Sequence, residues 1–172
     1  MRLLFNIDNK DYKENGKAFI RDSVRSIIIK DNKVAMVYSK RYDYYKFPGG
    51  GIEENETHID ALIRETLEEA GLVVIKDSIK EYGYVHRVEK SDQNGIDMFI
   101  QDNYYYLCDV KEKVEKQILD DYEAFENFTL VFVDAHKAIN TNRYNNHGPK
   151  NQNMLEREAK VLELLLLEKY II

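Results

Sequence analysis

The chain holds a single cysteine, Cys108, among 172 residues. One thiol cannot form an internal disulfide, and it cannot supply a cysteine-rich zinc site. Cys108 ends the strand-like run Tyr104-Tyr105-Tyr106-Leu107, where a small buried core residue is expected rather than a nucleophile. Positive charge is also scarce: 25 Lys and Arg stand against 31 Asp and Glu, for a formal net charge of −6. That balance argues against non-specific nucleic-acid binding, which needs a basic surface. No apolar run approaches the ~18 residues of a membrane span. The Leu3-Leu4-Phe5 run is short for a secretory signal and is soon interrupted by Asp8. These absences point to a soluble protein of a reducing compartment, most simply the cytoplasm, with no membrane partner. Tryptophan is missing altogether, whereas there are 13 tyrosines.

A length of 172 residues suits one domain, 1–172, with a real core. Neither an internal repeat nor a long linker breaks the chain. Short strands are expected at Arg2–Ile7 and Ala18–Ile20, and a hairpin of Val24–Ile29 and Val34–Tyr38 across Lys30-Asp31-Asn32-Lys33. The β-branched and tyrosine-rich stretch Val73–Val85 predicts one or two strands. Further strands fall within Met98–Val110 and at Leu130–Val133. Asp134 caps a helix over 134–140, the polar 140–153 stretch reads as a loop, and Met154–Tyr170 closes as a helix burying Leu155, Leu162, Leu165 and Leu166.

The densest chemical signal lies between Gly50 and Leu72. Pro48-Gly49-Gly50-Gly51 can turn sharply and let backbone approach a metal or phosphate. A helix over 57–70 follows, with Thr57 as N-cap and Gly71 just past its end. At ~100° per residue, Ile59, Leu62, Ile63, Thr66, Leu67 and Ala70 share one apolar stripe. Glu65, Glu68 and Glu69 gather on another face, where i, i+3, i+4 spacing brings like charges together. An ordinary helix gains nothing from that repulsion, whereas a bound hard cation reverses its sign. Thr66 is the one polar residue on the stripe, and its hydroxyl is expected to bond the Leu62 carbonyl one turn earlier.

Gly50-Gly51-Ile52-Glu53-Glu54-Asn55-Glu56, then seven residues, then Arg64-Glu65-Thr66-Leu67-Glu68-Glu69-Ala70-Gly71-Leu72 resembles the box of the Nudix (MutT-like) hydrolases. The resemblance covers the whole box, with Thr66 where a bulky aliphatic is usual. It implies an α/β fold, a mixed β-sheet sandwiched between helices. It implies a metal-dependent pyrophosphohydrolase that cleaves a diphosphate linkage in a nucleoside diphosphate joined to another group, X, by water attack on phosphorus. Mg²⁺ or Mn²⁺ would be held by Glu65, Glu68, Glu69 and the Gly50 carbonyl. Arg64 would pair with Glu56 and orient Glu65 or Glu68. The general base varies among such enzymes: Glu68 is the first candidate here, with Glu123 and Glu126 outside the box, although Asp120-Asp121-Tyr122-Glu123 also reads as a solvated acidic turn. The partner would be a small nucleotide derivative, and the resemblance leaves a homodimer open.

Other readings remain beside this one. A sensing domain that binds a nucleotide sugar without cleaving it commonly lacks box glutamates, and all are present here. An enzyme trimming RNA 5′ ends would benefit from a basic groove, which the net charge does not favour. An isoprenoid diphosphate isomerase needs a cysteine and glutamate pair, for which Cys108 has no matching context. Tyr42, Tyr44 and Tyr45 could stack on a base, though sheet packing is the plainer account. Arg25, Arg41 and Arg87 could hold a phosphate, but surface arginines are common. Among the histidines, His58 reads as surface and His86 ends a strand.

Overall fold

A computed structural model describes all residues from Met1 to Ile172. The strands are β1 (Leu3–Asp8), β2 (Ala18–Ile20), β3 (Ser23–Ile27), β4 (Ile29–Lys30), β5 (Lys33–Ser39), β6 (Tyr44–Lys46), β7 (Leu72–Val74), β8 (Lys80–Lys90), β9 (Met98–Leu107), β10 (Val110–Val114) and β11 (Phe128–Val133). The helices are α1 (His58–Ala70), α2 (Asp121–Phe125), α3 (Ala135–Tyr144) and α4 (Gln152–Leu167). In the main sheet β9 is central. It runs antiparallel to β8, while β2 and β3 lie end to end along its other edge, both parallel to it, and β1 adds in parallel beyond β8. A second, antiparallel sheet is built on β5, flanked by β11 on one side and by β4 and β6 on the other. β7 and β10 form a separate ribbon.

Helices cover both faces of the mixed sheet. Ala61 and Leu62 of α1 pack with Val24 and Tyr106 on one face. Ala159, Leu162 and Leu165 of α4 pack with Ile7, Ile27, Val85 and Tyr105 on the other. This is the expected α/β sandwich. All five residues of β3 are buried, as a strand covered on both faces requires. Alternation sends Val24 and Ser26 toward α1, and Arg25 and Ile27 toward α4.

Several boundaries differ from expectation. The stretch 24–29 breaks at Ile28, because β3 joins the mixed sheet while β4 turns into the hairpin with β5 across Asp31 and Asn32, both at positive φ. Val73–Val85 resolves into β7, a 3-10 turn at Lys76–Ser78, and a β8 that runs five residues further, to Lys90. The charged β10 lacks the apolar alternation that marks a buried strand, and its burial explains why: four of its five residues are exposed. Asp134 does cap α3, which continues to Tyr144 instead of ending at Asn140. The loop is therefore shorter than 140–153, and it is pinned rather than free. The His147 ring lies 3.0 Å from the Tyr42 carbonyl and 3.1 Å from that of Asn142, and Asn151 caps α4.

The box helix matches its expected limits. Thr57 accepts from the Asp60 N–H at 3.1 Å, and Gly71 sits in the left-handed region at φ 68°. Thr66 is fully buried as placed on the apolar stripe, but its hydroxyl donates to Ser26 Oγ at 3.0 Å and not to the Leu62 carbonyl. The neighbouring strand β3 supplies the acceptor in place of the helix's own backbone. A side chain at Gly71 would meet both unfavourable backbone geometry and the Glu115 carbonyl oxygen. Gly71→Ala is therefore expected to lower unfolding free energy by at least about 1–2 kcal/mol, as read from urea denaturation; an unchanged midpoint would contradict the cap.

Candidate active site

The loop Pro48–Ile52 acts as an extra edge strand against β3. Ser26 N–H donates to the Pro48 carbonyl at 2.9 Å, Val24 N–H to the Gly50 carbonyl at 3.0 Å, and Ile52 N–H to the Asp22 carbonyl at 3.0 Å. Arg25 adds a side-chain bond to the Gly49 carbonyl. The loop is thereby held flat across the C-terminal half of α1. Gly50 faces the Glu65 carboxylate so closely that a Cβ there would overlap it. The bare backbone at Gly50 thus forms a cradle for Glu65, and the Gly50 carbonyl keeps a second lone pair free beyond its bond to Val24.

Arg64 organises the exposed side of the acids. Its Nε and Nη2 donate to the two Glu56 oxygens, each at 2.8 Å, in a bidentate pair. Nη1 reaches Glu65 at 2.8 Å and Glu68 at 3.1 Å, and Nη2 also donates to the Gly51 carbonyl at 3.1 Å. One guanidinium thus ties the loop, its closing Glu56 and two helix carboxylates into a unit. Both expected partners of Arg64 on the helix are engaged, not one of them. Arg64 in turn draws the Glu56 carboxyl below the usual range.

Glu69 departs from the simple picture of three glutamates on one solvated face. It is 1% exposed and points inward, where it meets Lys46 Nζ and accepts from the Gly49 N–H at 3.0 Å. The helix pattern foretells its direction within the turn, but not that the Pro48–Ile52 loop and β6 would close over it.

Glu123 is the residue the sequence undervalued. The chain after β10 is stapled to the end of α1: Glu115 N–H donates to the Gly71 carbonyl at 2.8 Å, Ile118 N–H to the Glu68 carbonyl at 2.8 Å, and the Gln117 side chain to the Glu69 carbonyl. Asp120 then starts α2 with a reciprocal capping box to Glu123. The acidic turn is therefore a short helix, and Glu123 is buried beside Glu69 instead of solvated. The spacing Asp120-x-x-Glu123 was the available signal. Glu126 is buried as well, but elsewhere: it takes the Tyr44 hydroxyl at 2.7 Å, Ser39 Oγ at 3.0 Å and the Lys150 ammonium.

Together these elements shape a polar cleft of about 340 Å³ lined by Arg21, Gly51, Glu65, Glu68, Tyr122 and Glu123, among others. A cleft of similar size beside β4 and β10 is lined mainly by apolar groups and carries no acidic cluster. Burial raises the Glu65 carboxyl above its usual range despite the opposing Arg64. Burial, then the neighbouring Glu69 carboxylate, pushes Glu123 up to about 7. Crowded oxygen donors that resist ionisation suit a hard divalent cation, which would relieve both the burial and the repulsion. As they stand, no three of these side chains converge into a closed metal cage; Arg64 engages one oxygen each of Glu65 and Glu68, and Lys46 one of Glu69.

The remaining sequence candidates take structural places. Tyr44 and Tyr45 are buried in sheet packing. Burial drives the Cys108 thiol up to about 12, which suits a core residue. Arg41 stacks on Phe125, its guanidinium carbon 3.7 Å from the ring centre. Arg25 and Arg87, by contrast, are not surface residues: each is 8% exposed and each leaves its Nε without a partner. His86 sits half-exposed, with Nδ1 2.6 Å from Asp102.

The raised Glu123 carboxyl has a consequence for the metal-free protein. The unfolded chain loses this proton near 4.5, whereas the folded chain keeps it to about 7. Between those values the native state binds the extra proton, so this group's stabilisation is present at the acid end and falls as pH rises. Thermal melts in chelator are expected to show wild type losing more stability than Glu123→Gln between about pH 5 and about pH 7.5. Parallel pH curves for the two proteins would contradict the assignment.

Comparison with known proteins agrees with this geometry. The family model for the NUDIX domain matches residues 20–156. An RNA pyrophosphohydrolase from Psychrobacter is 44% identical over 48 residues, which cover 27% of this chain and 28% of that protein's length. A MutT NUDIX hydrolase structure from Burkholderia pseudomallei superposes with a TM-score of 0.55 at 17% identity, covering 84% of this chain and 98% of that one. A NUDIX hydrolase structure from Nitrosomonas europaea gives 0.54 at 20% identity, covering 80% of this chain and 87% of that one. At such identities the structures speak to the fold alone. No helix is long and apolar enough to cross a membrane. The full box with its glutamates, the loop and helix that carry it, and the family match over most of the length place this chain in the Nudix hydrolase family.

Proposed function

We propose that this chain is one Nudix domain, working in the cytoplasm, that hydrolyses the diphosphate linkage of a small nucleoside diphosphate derivative with Mg²⁺ or Mn²⁺. The observation that carries this reading is the gathering of Glu65, Glu68, Glu69 and Glu123 around the Gly49–Gly51 backbone, with Arg64 bracing the exposed side. Glu65, Glu68, Glu69 and the Gly50 carbonyl would hold the metal. A bound divalent ion neutralises charge on the phosphates and lowers the pKa of bound water.

The chain's own groups supply position. Arg64 holds Glu65 and Glu68 and ties them to the loop, which limits how far their oxygens must move as metal and substrate enter. Arg21 lines the same cleft and offers a cation to a phosphate oxygen. Glu68 is the proposed base. It is the most open of the box helix's three glutamates, 36% exposed; one of its oxygens is anchored by Arg64, and the residue lines the cleft. A water beside it can give up its proton as it attacks phosphorus, and the phosphate-bearing group departs on the opposite side.

The Psychrobacter relative supports a second reading, removal of diphosphate from an RNA 5′ end, since the 48-residue likeness is to a protein of that name. The net charge of −6 weighs against a long RNA footprint.

Phosphate release should be followed with Mg²⁺ and with excess chelator across nucleoside triphosphates, ADP-ribose, nucleotide sugars, NADH, dinucleoside polyphosphates and 5′-triphosphate or capped RNA. One preferred, metal-dependent small substrate is expected; preference for the RNAs would establish the second reading. Tight binding of a panel member with no turnover would overturn both in favour of a sensor. Glu68→Gln is expected to lower kcat at least about a hundredfold while melting like wild type, and a loss below tenfold would remove Glu68 from the base role.

A further inference from the structure

The α4 side of the main sheet carries a cluster that the proposed chemistry leaves unused. Four buried side-chain polar atoms have no hydrogen-bond partner, and three of them are N–H donors: Arg25 Nε, Arg87 Nε and Asn103 Nδ2. Strand alternation groups these three. Ile27, Val85 and Tyr105 pack beneath α4, and the residues two positions away on β3, β8 and β9 point the same way. Arg157 of α4 joins them, its Nη1 2.6 Å from Asn103 Oδ1. Three guanidiniums here share two carboxylates: Glu89 pairs with Arg87 and Glu158 with Arg157, while Arg25 has only the Gly49 carbonyl. Burial, and then the nearby Arg157, lowers the Arg87 pKa to about 10. The region is short of acceptors, and each unmet donor costs stability.

Arg87 brings that shortage to an open cleft of about 250 Å³, lined also by Glu89, Phe99 and Asn151. Its guanidinium makes one hydrogen bond, from Nη2 to Glu89 Oε1 at 2.7 Å. Phe99 flanks the guanidinium, its ring centre 5.0 Å from Cζ, and gives the cleft an apolar wall. Glu89 also accepts from Asn151 Nδ2 at 2.9 Å and, on Oε2, from Asn153 Nδ2 at 2.6 Å. A carboxylate has about four acceptor positions, so one remains. The cleft therefore offers several N–H donors beside a single acceptor. A planar ring with a carbonyl next to a ring N–H fits that pattern: the oxygen takes the Arg87 N–H groups and the ring N–H goes to Glu89. An amino group in the carbonyl's place would set N–H against N–H. Arg25 links this cleft to the acidic one, since it bonds the Gly49 carbonyl and its charge acts on both Glu65 and Arg87. Three strand spacings, about 14 Å, separate β8 from the Pro48–Ile52 loop, within the reach of a nucleoside diphosphate. We propose that this cleft seats the base of the nucleotide and selects keto bases, of guanine or uracil type, over adenine and cytosine, with Arg87 as the deciding residue.

That the nucleotide is a substrate rests on the proposed hydrolase reading; the base preference needs neither metal nor turnover. GMP, UMP, AMP and CMP are titrated by calorimetry into the full chain in excess chelator. GMP or UMP is expected to bind at least about tenfold tighter than AMP and CMP. Arg87→Met, checked for native circular dichroism, is expected to lose that preference. Arg87→Lys keeps a charge beside Glu89 without the planar fork, serves if Arg87→Met does not fold, and is expected to lose it too. Equal binding of all four by wild type, tighter binding of AMP or CMP, or no binding would overturn the inference and leave Mg²⁺-dependent hydrolysis untouched. A preference retained in the folded variants would overturn the role of Arg87. An intact preference with no turnover of any nucleotide would overturn the hydrolase reading and leave the base pocket standing.

Discussion

Everything in the site follows from one constraint: five carboxylates, Glu56, Glu65, Glu68, Glu69 and Glu123, must sit within one small region without driving each other apart. Mutual repulsion at i, i+3 and i+4 spacing would fray an isolated helix. Here Arg64 answers it on the open side through five acceptor atoms, four on three glutamates and one on the loop, and Lys46 answers it inside. Burial first, and then the neighbouring Glu69, still raises the carboxyls of Glu65 and Glu123. The remaining unfavourable charge is what a divalent cation and its bound phosphates would relieve. A site of this kind sacrifices some native stability to be ready for its ligand.

The fold's contribution is to hold three separate pieces of chain in register around that charge. β3 hydrogen-bonds the Pro48–Ile52 loop as if it were another strand, which sets the Gly50 backbone against Glu65. Gly71 ends α1 and turns the chain into β7; its partner β10 brings 115–118 back across the helix end and so delivers α2 with Glu123. The packing of Ala61, Leu62 and Thr66 onto Val24, Tyr106 and Ser26 fixes the rotation of α1, and with it the direction of every acid it carries.

Much of this was legible in the chain. The caps of α1 and the apolar stripe with Thr66 inside it depend on local spacing, which sequence carries, and the Glu56–Arg64 pair is what the box resemblance implied. What stayed hidden depends on long-range contacts. Lys46 and Glu69 are 23 positions apart, and neither carries a mark of burial in its own neighbourhood. Glu123 looked like part of a charge run because its burial is created by the 115–118 stretch folding onto α1. Arg25 reads as an exposed residue in a strand until α4 covers that face of the sheet. β10 escaped notice because a mostly exposed ribbon has little apolar pattern to show.

The most direct test of the account is to locate the metal itself. Crystals grown with Mn²⁺ and a non-hydrolysable nucleoside diphosphate analogue should give an anomalous peak at bonding distance from Glu65, Glu68 and Glu69 and the Gly50 carbonyl, with the diphosphate oxygens completing its shell. A diphosphate bound in the cleft with no anomalous peak there, or a peak held by other residues, would contradict the claim that this acidic cluster is a metal-dependent phosphate-cleaving centre.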